Sequence, residues 1–361
     1  MPAIRFVFAL LSALVASLVL FKVPDMFLWQ LKVGATEYGQ WFAIVPLLLI
    51  FVGRRRSALD SFSVLLAWIA VILFLSSTGR ALLYAKTARE KMDAVFPAPE
   101  GVHVVPGPIS LPKVWSFASP LQVEVHPMEF HEFTTGPLTL DFYPAQNRPS
   151  APCIVLVHGG GWDRGSRKEF DSANLWLANR GIAVAAIDYR LAPASKWPAQ
   201  ADDVRSALAY LKREANGLGI APNKFFLMGR SAGGQIAEAV AAPGNLPDVL
   251  GCIALYAPAD MHFAFEHSDK KDILDSPRLL TQLLGGSPKQ AKATYDSASA
   301  YVLASRKTVP MLLIHGLNDE LVWFQQSRRF SERLKQTGVK HVYLELPWAT
   351  HAFDHNDHGP G

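Results

Sequence analysis

The 361-residue chain is short of charge: Asp, Glu, Lys and Arg make up 18% of it, against 50% hydrophobic residues, and the mean hydropathy is +0.15. Soluble domains carry roughly a quarter charged residues, so the apolar excess must be concentrated somewhere. Cysteine is nearly absent. Cys153 and Cys252 are the only two, which excludes a disulfide framework. Both lie in strand-like runs, APCIVLV and GCIALY, and read as buried, inert thiols. No Asn-x-Ser/Thr sequon occurs, which favours a bacterial chain over one from a eukaryotic lumen. Basic runs are missing apart from Arg54, Arg55 and Arg56, so the net charge of +4 and pI near 9.0 imply no nucleic-acid partner.

The apolar excess lies at the front. Residues 6–21, FVFALLSALVASLVLF, and 62–75, FSVLLAWIAVILFL, carry no charge and are membrane-span candidates. Residues 41–52, WFAIVPLLLIFV, are fewer. Extended back to Tyr38 they approach the lower limit of about 17 residues for a span, and a buried or re-entrant helix is the alternative. The arginine triplet that follows belongs on the cytoplasmic side, as does Arg5, whereas the loop after the first segment offers only Lys22 and Lys32. Three spans then place everything after about Gly79 across the membrane, in the periplasm of a bacterium. The first segment also resembles a signal peptide, but no small-x-small cleavage site follows it. Nothing in the segment pairs charges within a span as a transporter would. The expected organisation is a membrane segment over 1–80 with about three helices, a linker over 81–120 that begins with a helix over 81–92 and is rich in Pro and Gly over 96–112, and a globular domain over 121–361.

From 123 onward the pattern changes. Residues 123–133 and 137–143 alternate as a hairpin would, joined by Thr-Gly-Pro. Strands are then expected at 154–157, 183–187, 224–228, 252–256, 311–314 and 342–346, with helices at 169–179, 199–215, 233–242 and 325–337. Short, nearly continuous apolar strands between helices imply a mostly parallel sheet covered on both faces, with its chemistry at the carboxyl ends of the strands. Residues 259–300 interrupt the alternation as a cap-like insertion, in which Met261, Phe263 and Phe265 are candidates to line a pocket.

Gly229-Arg230-Ser231-Ala232-Gly233 is a G-x-S-x-G sequence between an expected strand and an expected helix, the setting in which a sharp turn raises a serine oxygen above a sheet. A serine hydroxyl needs a base, and the base a group that fixes its tautomer. LLIHGLNDELV places Asp319 after one strand, and LPWATHAFD places His351 after the last. The order serine, acid, histidine is that of the α/β-hydrolase triad. Rivals stand nearby: Glu320 and His315 beside the acid, His355 and His358 behind the histidine. In VLVHGGGWDRG, bare backbone after a strand suits an oxyanion hole, with Gly159 and Gly160 as donors and Ala232, after the nucleophile, as the third. Phosphate binding is the competing use of such a loop, but neither G-x-x-x-x-G-K-[ST] nor G-x-G-x-x-G opening a helix occurs here.

HGGGW, DYRLAP, GRSAGG, HGLND and THAF together resemble the α/β-hydrolase esterases of the hormone-sensitive-lipase-like and BD-FAE-like groups, from about Val123 to the end. The resemblance implies the α/β-hydrolase fold, Ser231 as nucleophile, His351 as general base, Asp319 as its orienting acid, and Gly159, Gly160 and Ala232 as the oxyanion hole. It implies structural roles for Tyr189, Arg190, Asp202 and Asp203, and suggests Trp162 at the pocket entrance, a buried tryptophan there being equally ordinary. It also implies a closing helix after the histidine loop, where this chain ends at Gly361. No cofactor is expected, and no metal, since the histidines and aspartates of HAFDHNDHG have no rigid element to fix them. The expected function is a membrane-anchored carboxylesterase acting on short or medium acyl esters. The same triad would serve a carbohydrate or aryl deacetylase, an arylformamidase or a peptidase. A non-catalytic, membrane-tethered binding module is the alternative of another class.

Overall fold

The computed structural model describes residues 2–51, 57–98, 123–133, 136–169, 171–268, 272–356 and 359–361. The arginine triplet, most of the linker, the expected domain start near 121 and His358 lie outside the described residues. By internal contacts the chain forms two units. The first comprises Met1–Ala118, Gly316–Glu320 and Glu345–Gly361, and the second Ser119–His315 and Leu321–Leu344.

In the first unit, α1 (Pro2–Ser17), with a 3-10 turn at Leu18–Leu20, is followed by α2 (Met26–Glu37), α3 (Gly39–Phe42), α4 (Ile44–Phe51) and α5 (Ala58–Val95). Two stretches, Pro2–Leu20 and Ala58–Val95, are helices long and apolar enough to cross a membrane; Met26–Glu37 and Gly39–Phe51 form a pair bent by 88° that makes a third if counted as one span. Helix α2 is not expected from the sequence. Asp25 starts it, its carboxylate accepting from the Leu28 N–H at 2.9 Å. Helix α5 is also longer than expected, because the last span and the helix after it are continuous. At 38 residues it is about 57 Å long, against about 30 Å for a bilayer core.

The helices pack through small residues: Ala9, Ala16, Ala67 and Ala70 are fully buried. Ile4, Phe8, Leu11, Phe62, Leu65 and Ile72 point outward, as a lipid-facing surface requires. The Arg5 guanidinium donates to the Leu49 carbonyl at 2.6 and 3.0 Å, where it offsets the negative end of α4, and lies 3.8 Å from Asp60 in the first turn of α5. Ala16, Val19, Ala35, Ala43 and Phe74 cluster at the other end. Helices α1 and α5 therefore run in one direction and α4 runs back. Four charged residues not singled out together in the sequence, Arg5, Lys32, Glu37 and Asp60, are buried in this unit, and Arg5 and Asp60 pair between the starts of α1 and α5.

The second unit is built on an eight-stranded sheet of order β1-β2-β4-β3-β5-β6-β7-β8. Strands β1 (His126–Phe133) and β2 (Gly136–Tyr143) form the expected antiparallel hairpin, and β2 pairs antiparallel with β4. Strands β3 (Ala151–Val157), β4 (Ala183–Ile187), β5 (Ile220–Arg230), β6 (Val249–Leu255) and β7 (Met311–Gly316) are parallel. Strand β8 (His341–Leu346) lies beside β7 at the edge. Every residue of β4 is buried, which is why it reads as an unbroken apolar run.

Helices α6 (Asp171–Ala178), α7 (Ala199–Arg213), α8 (Ala232–Ala241) and α13 (Gln325–Thr337) alternate with these strands, and α9 (Met261–Glu266), α10 (Ser276–Leu284), α11 (Lys292–Ala298) and α12 (Ala300–Leu303) make up the insertion. Helix α13 shows why its sequence was readable: Phe330 and Leu334, four apart, are fully buried on one face, and Gly338 ends it with φ +74°.

Candidate active site

Ser231 falls between β5 and α8, with φ 52° and ψ −120°, a conformation that a side-chain-bearing residue adopts only under constraint from its surroundings. Its N–H donates to the Leu255 carbonyl of β6 at 2.9 Å, and its own carbonyl accepts from the Gln235 N–H, starting α8. The turn is possible because the backbone behind it is bare. A Cβ on Gly233 would lie 2.2 Å from the His158 carbonyl oxygen. Ala232 is the first residue of α8, where backbone N–H groups have no intrahelical acceptor and the helix dipole favours negative charge.

The HGGGW loop lies directly against this turn. A Cβ on Gly159 would be 3.6 Å from the Ser231 Cβ and 3.2 Å from the Arg230 carbonyl oxygen. Gly160 has φ +105°, and a Cβ there would meet the Arg164 carbonyl at 2.3 Å, so glycine alone fits. His158 holds the start of the loop. Its ring stacks on Tyr189 at 4.2 Å, and burial keeps its pKa below the ordinary value. The Tyr189 hydroxyl donates to the His158 carbonyl at 3.2 Å.

Arg190 grips Asp203 through its side chain at 2.7 and 2.9 Å and through its backbone N–H at 2.8 Å, a structural contact of the kind expected. Trp162 takes the buried alternative: its indole donates to Gln235, which donates in turn to the Ala298 carbonyl of α11. Met261 is also fully buried, whereas Phe263, stacked on the exposed Trp323 at 5.6 Å, and Phe265 are partly accessible.

The acid and the histidine lie in the first unit. His351 Nδ1 is 2.7 Å from Asp319 Oδ2, and both side chains are almost fully enclosed. An ionised carboxylate only accepts, so Nδ1 carries the proton and the neutral ring keeps its lone pair on Nε2, the tautomer a general base needs. The two loops are tied together by the Leu317 N–H to Leu346 and Asn318 N–H to Ala349 bonds, at 3.0 and 3.1 Å.

The rivals are otherwise engaged. His315 is fully buried, with Nδ1 2.7 Å from the Ser327 hydroxyl and Nε2 3.0 Å from the Val322 carbonyl. Glu320 meets Lys32. His355 is exposed in a 3-10 turn. Among the described residues no group of three or more His, Cys, Asp or Glu could hold a metal ion. Cys153 and Cys252 are buried and unpaired, and burial pushes the Cys153 thiol up to about 12. Sequence reasoning missed the residues around Lys32, where the legible signal was Asp25, an N-cap type ahead of the apolar MFLW.

A mostly parallel sheet with a strained serine turn between β5 and α8 defines an α/β-hydrolase. Residues 140–334, more than half of the chain, match the model of the BD-FAE family, and the chain belongs to that family. It is 30% identical over 215 residues to the probable carboxylic ester hydrolase LipM of Mycobacterium tuberculosis, covering 57% of this chain and 50% of LipM. To the esterase LipC of the same organism it is 30% identical over 232 residues, covering 60% of this chain and 57% of LipC. The chain thus spans about half the length of the curated relatives it matches. Among solved structures, the native esterase Est2 of Thermogutta terrifontis aligns with a TM-score of 0.53 at 25% identity, covering 64% of this chain and 83% of that one. A truncated carbohydrate esterase from gut microbiota aligns with a TM-score of 0.56 at 19% identity, covering 64% and 91%, a likeness of fold alone.

Proposed function

We propose that the protein is a membrane-anchored serine hydrolase, a carboxylesterase cleaving short or medium acyl esters through Ser231, His351 and Asp319. The observation that carries the reading is the Ser231 backbone, held at φ 52° and ψ −120° where a strand meets a helix, with Gly159 packed against it. The Asp319–His351 pair supports it by fixing the basic tautomer.

His351 Nε2 takes the Ser231 proton as the Oγ attacks the ester carbonyl, and the resulting oxyanion is met by backbone N–H groups of Gly159, Gly160 and Ala232. The imidazolium then protonates the leaving alcohol, giving an acyl-enzyme. Water, deprotonated by His351, attacks the acyl carbon, and the imidazolium returns that proton to the Ser231 oxygen as the acid is released. Every proton moves through one imidazole, so no cofactor enters. The esterase names of the relatives agree with this chemistry.

The test is hydrolysis of p-nitrophenyl acetate and octanoate by the purified full-length protein and by Ser231→Ala. Turnover should fall to background in the variant, and the ratio of the two esters sizes the acyl pocket. Undiminished turnover by Ser231→Ala would sink the reading.

Helices α1 and α5, with the bent α2–α4 segment as a third crossing, anchor the enzyme with Arg5 on the cytoplasmic side and the far end of α5 in the periplasm. This topology is supported by the opposite run of α4, which brings α1 and α5 through in the same direction, and by Arg5 at the start of α1. Because the native thiols are buried, Lys86→Cys reports the side directly. It should react with an impermeant maleimide on intact cells, and reaction only after lysis would reverse the topology.

A further inference from the structure

Resting on the serine-hydrolase reading above, we propose that Lys32 of α2 is a positioning residue for the Asp319–His351 pair, acting through Glu320, so that the N-terminal segment completes the catalytic machinery as well as anchoring it. The Lys32 ammonium lies 2.6 Å from Glu320 Oε1, and the two side chains are only 3% and 5% exposed. Lys32 donates a further bond to the Phe21 carbonyl at 2.9 Å, and the same Glu320 oxygen accepts the Val23 N–H at 3.1 Å. Glu320 adjoins Asp319, whose Cα is about 3.8 Å away across one peptide. Clamping Glu320 therefore fixes the backbone from which the Asp319 carboxylate reaches His351.

The histidine loop is held from the same segment. Asn356, five residues after His351, donates to the Glu37 carbonyl at the end of α2 at 2.7 Å. Tyr84 of α5 packs edge-on against Trp348, three residues before it, at 5.7 Å. Simple anchoring requires none of these contacts. A buried ion pair is a poor source of net stability but a good source of fixed geometry, since either partner alone would be an uncompensated charge.

The experiment uses the full-length protein and three variants, Lys32→Met, Glu320→Gln and the double. Active molecules are titrated with a fluorophosphonate taken to completion, and turnover is expressed per titrated site. Lys32→Met should lose about tenfold in kcat with KM within about twofold of the parent, as expected when a reacting group is misplaced while substrate binding is unchanged. The double variant should be no slower than Lys32→Met, because both changes break one pair. If Lys32→Met does not fold, Glu320→Gln, nearly isosteric, carries the test with a loss in the same direction.

A merely structural role would lower the melting temperature and the titrated fraction but leave kcat per site unchanged, and that result overturns the proposal. So would losses that multiply in the double variant. A parent protein that neither labels nor turns over ester removes the serine-hydrolase reading itself, an outcome distinct from an active parent whose variants are indifferent.

Discussion

The serine and the histidine are held in opposite ways. Ser231 owes its conformation to backbone: a parallel sheet, a helix beginning one residue later, and glycines packed closer than any side chain allows. Everything that shapes it lies between β3 and β6. His351 and Asp319 sit on two loops that are tied to each other and held by the Lys32 side chain and the Glu37 carbonyl of the N-terminal segment, some 300 residues away in sequence. The geometry of Ser231 is thus a property of the fold, whereas that of His351 depends on particular contacts. Substitutions should separate the two.

The largest effect belongs to the reacting atoms. Ser231→Ala should lose at least about 10⁴-fold in turnover while melting close to the parent, because the turn that holds it is made by other residues. A comparable drop in melting temperature would mean that the serine helps make the turn. Asp319→Asn comes next. It should cost about 10³- to 10⁴-fold in kcat by favouring the wrong histidine tautomer, and the variant should still be labelled by a fluorophosphonate, slowly, because the serine half is untouched. Loss of the fold in this variant would show that the two halves are not independent.

Gly233→Ala attacks the serine half through its backbone. With the new Cβ 2.2 Å from the His158 carbonyl, the turn must open, at a cost of about 3 kcal/mol or more. Gly219→Ala is the control: φ is +67° there too, but nothing lies within 4 Å, so about 1 kcal/mol is expected. Equal losses in denaturant titrations would show that close packing is not what holds Ser231.

The smallest effect is on Glu238, fully buried in α8 without a hydrogen-bond partner among the described residues and with its pKa raised well above the ordinary carboxyl value by burial. The folded protein holds this proton more tightly than the unfolded chain, which releases it above its ordinary value of about 4.3, so this group's contribution to folding stability falls as pH rises above that value. Glu238→Gln does not titrate. Its melting-temperature advantage over the parent should grow from pH 5 to pH 8, and an advantage independent of pH would contradict the assignment.

The same division explains what was legible in the sequence. Strands β3 to β7 announced themselves because burial on both faces leaves continuous apolar runs, and the bounds of β4 and α13 follow from pattern alone. GRSAGG and HGGG were readable because their chemistry demands local backbone, and local backbone is written in consecutive residues. Asp319 and His351 were readable only as chain order after strands; that they meet is a tertiary fact. Lys32 was counted as one of two loop charges, since no local pattern distinguishes a lysine that pairs with Glu320 from one that faces water. Trp162 stayed open between entrance and core for a related reason: only the Gln235 bond shows where the indole turns.

The most direct test of a Ser231 nucleophile served by His351 is to treat the folded, full-length protein with a fluorophosphonate and map the adduct by peptide mass spectrometry. One stoichiometric phosphonyl group is predicted, on the peptide containing Ser231, forming far more slowly in His351→Ala. An adduct on another residue, or none in protein shown to be folded, would contradict it.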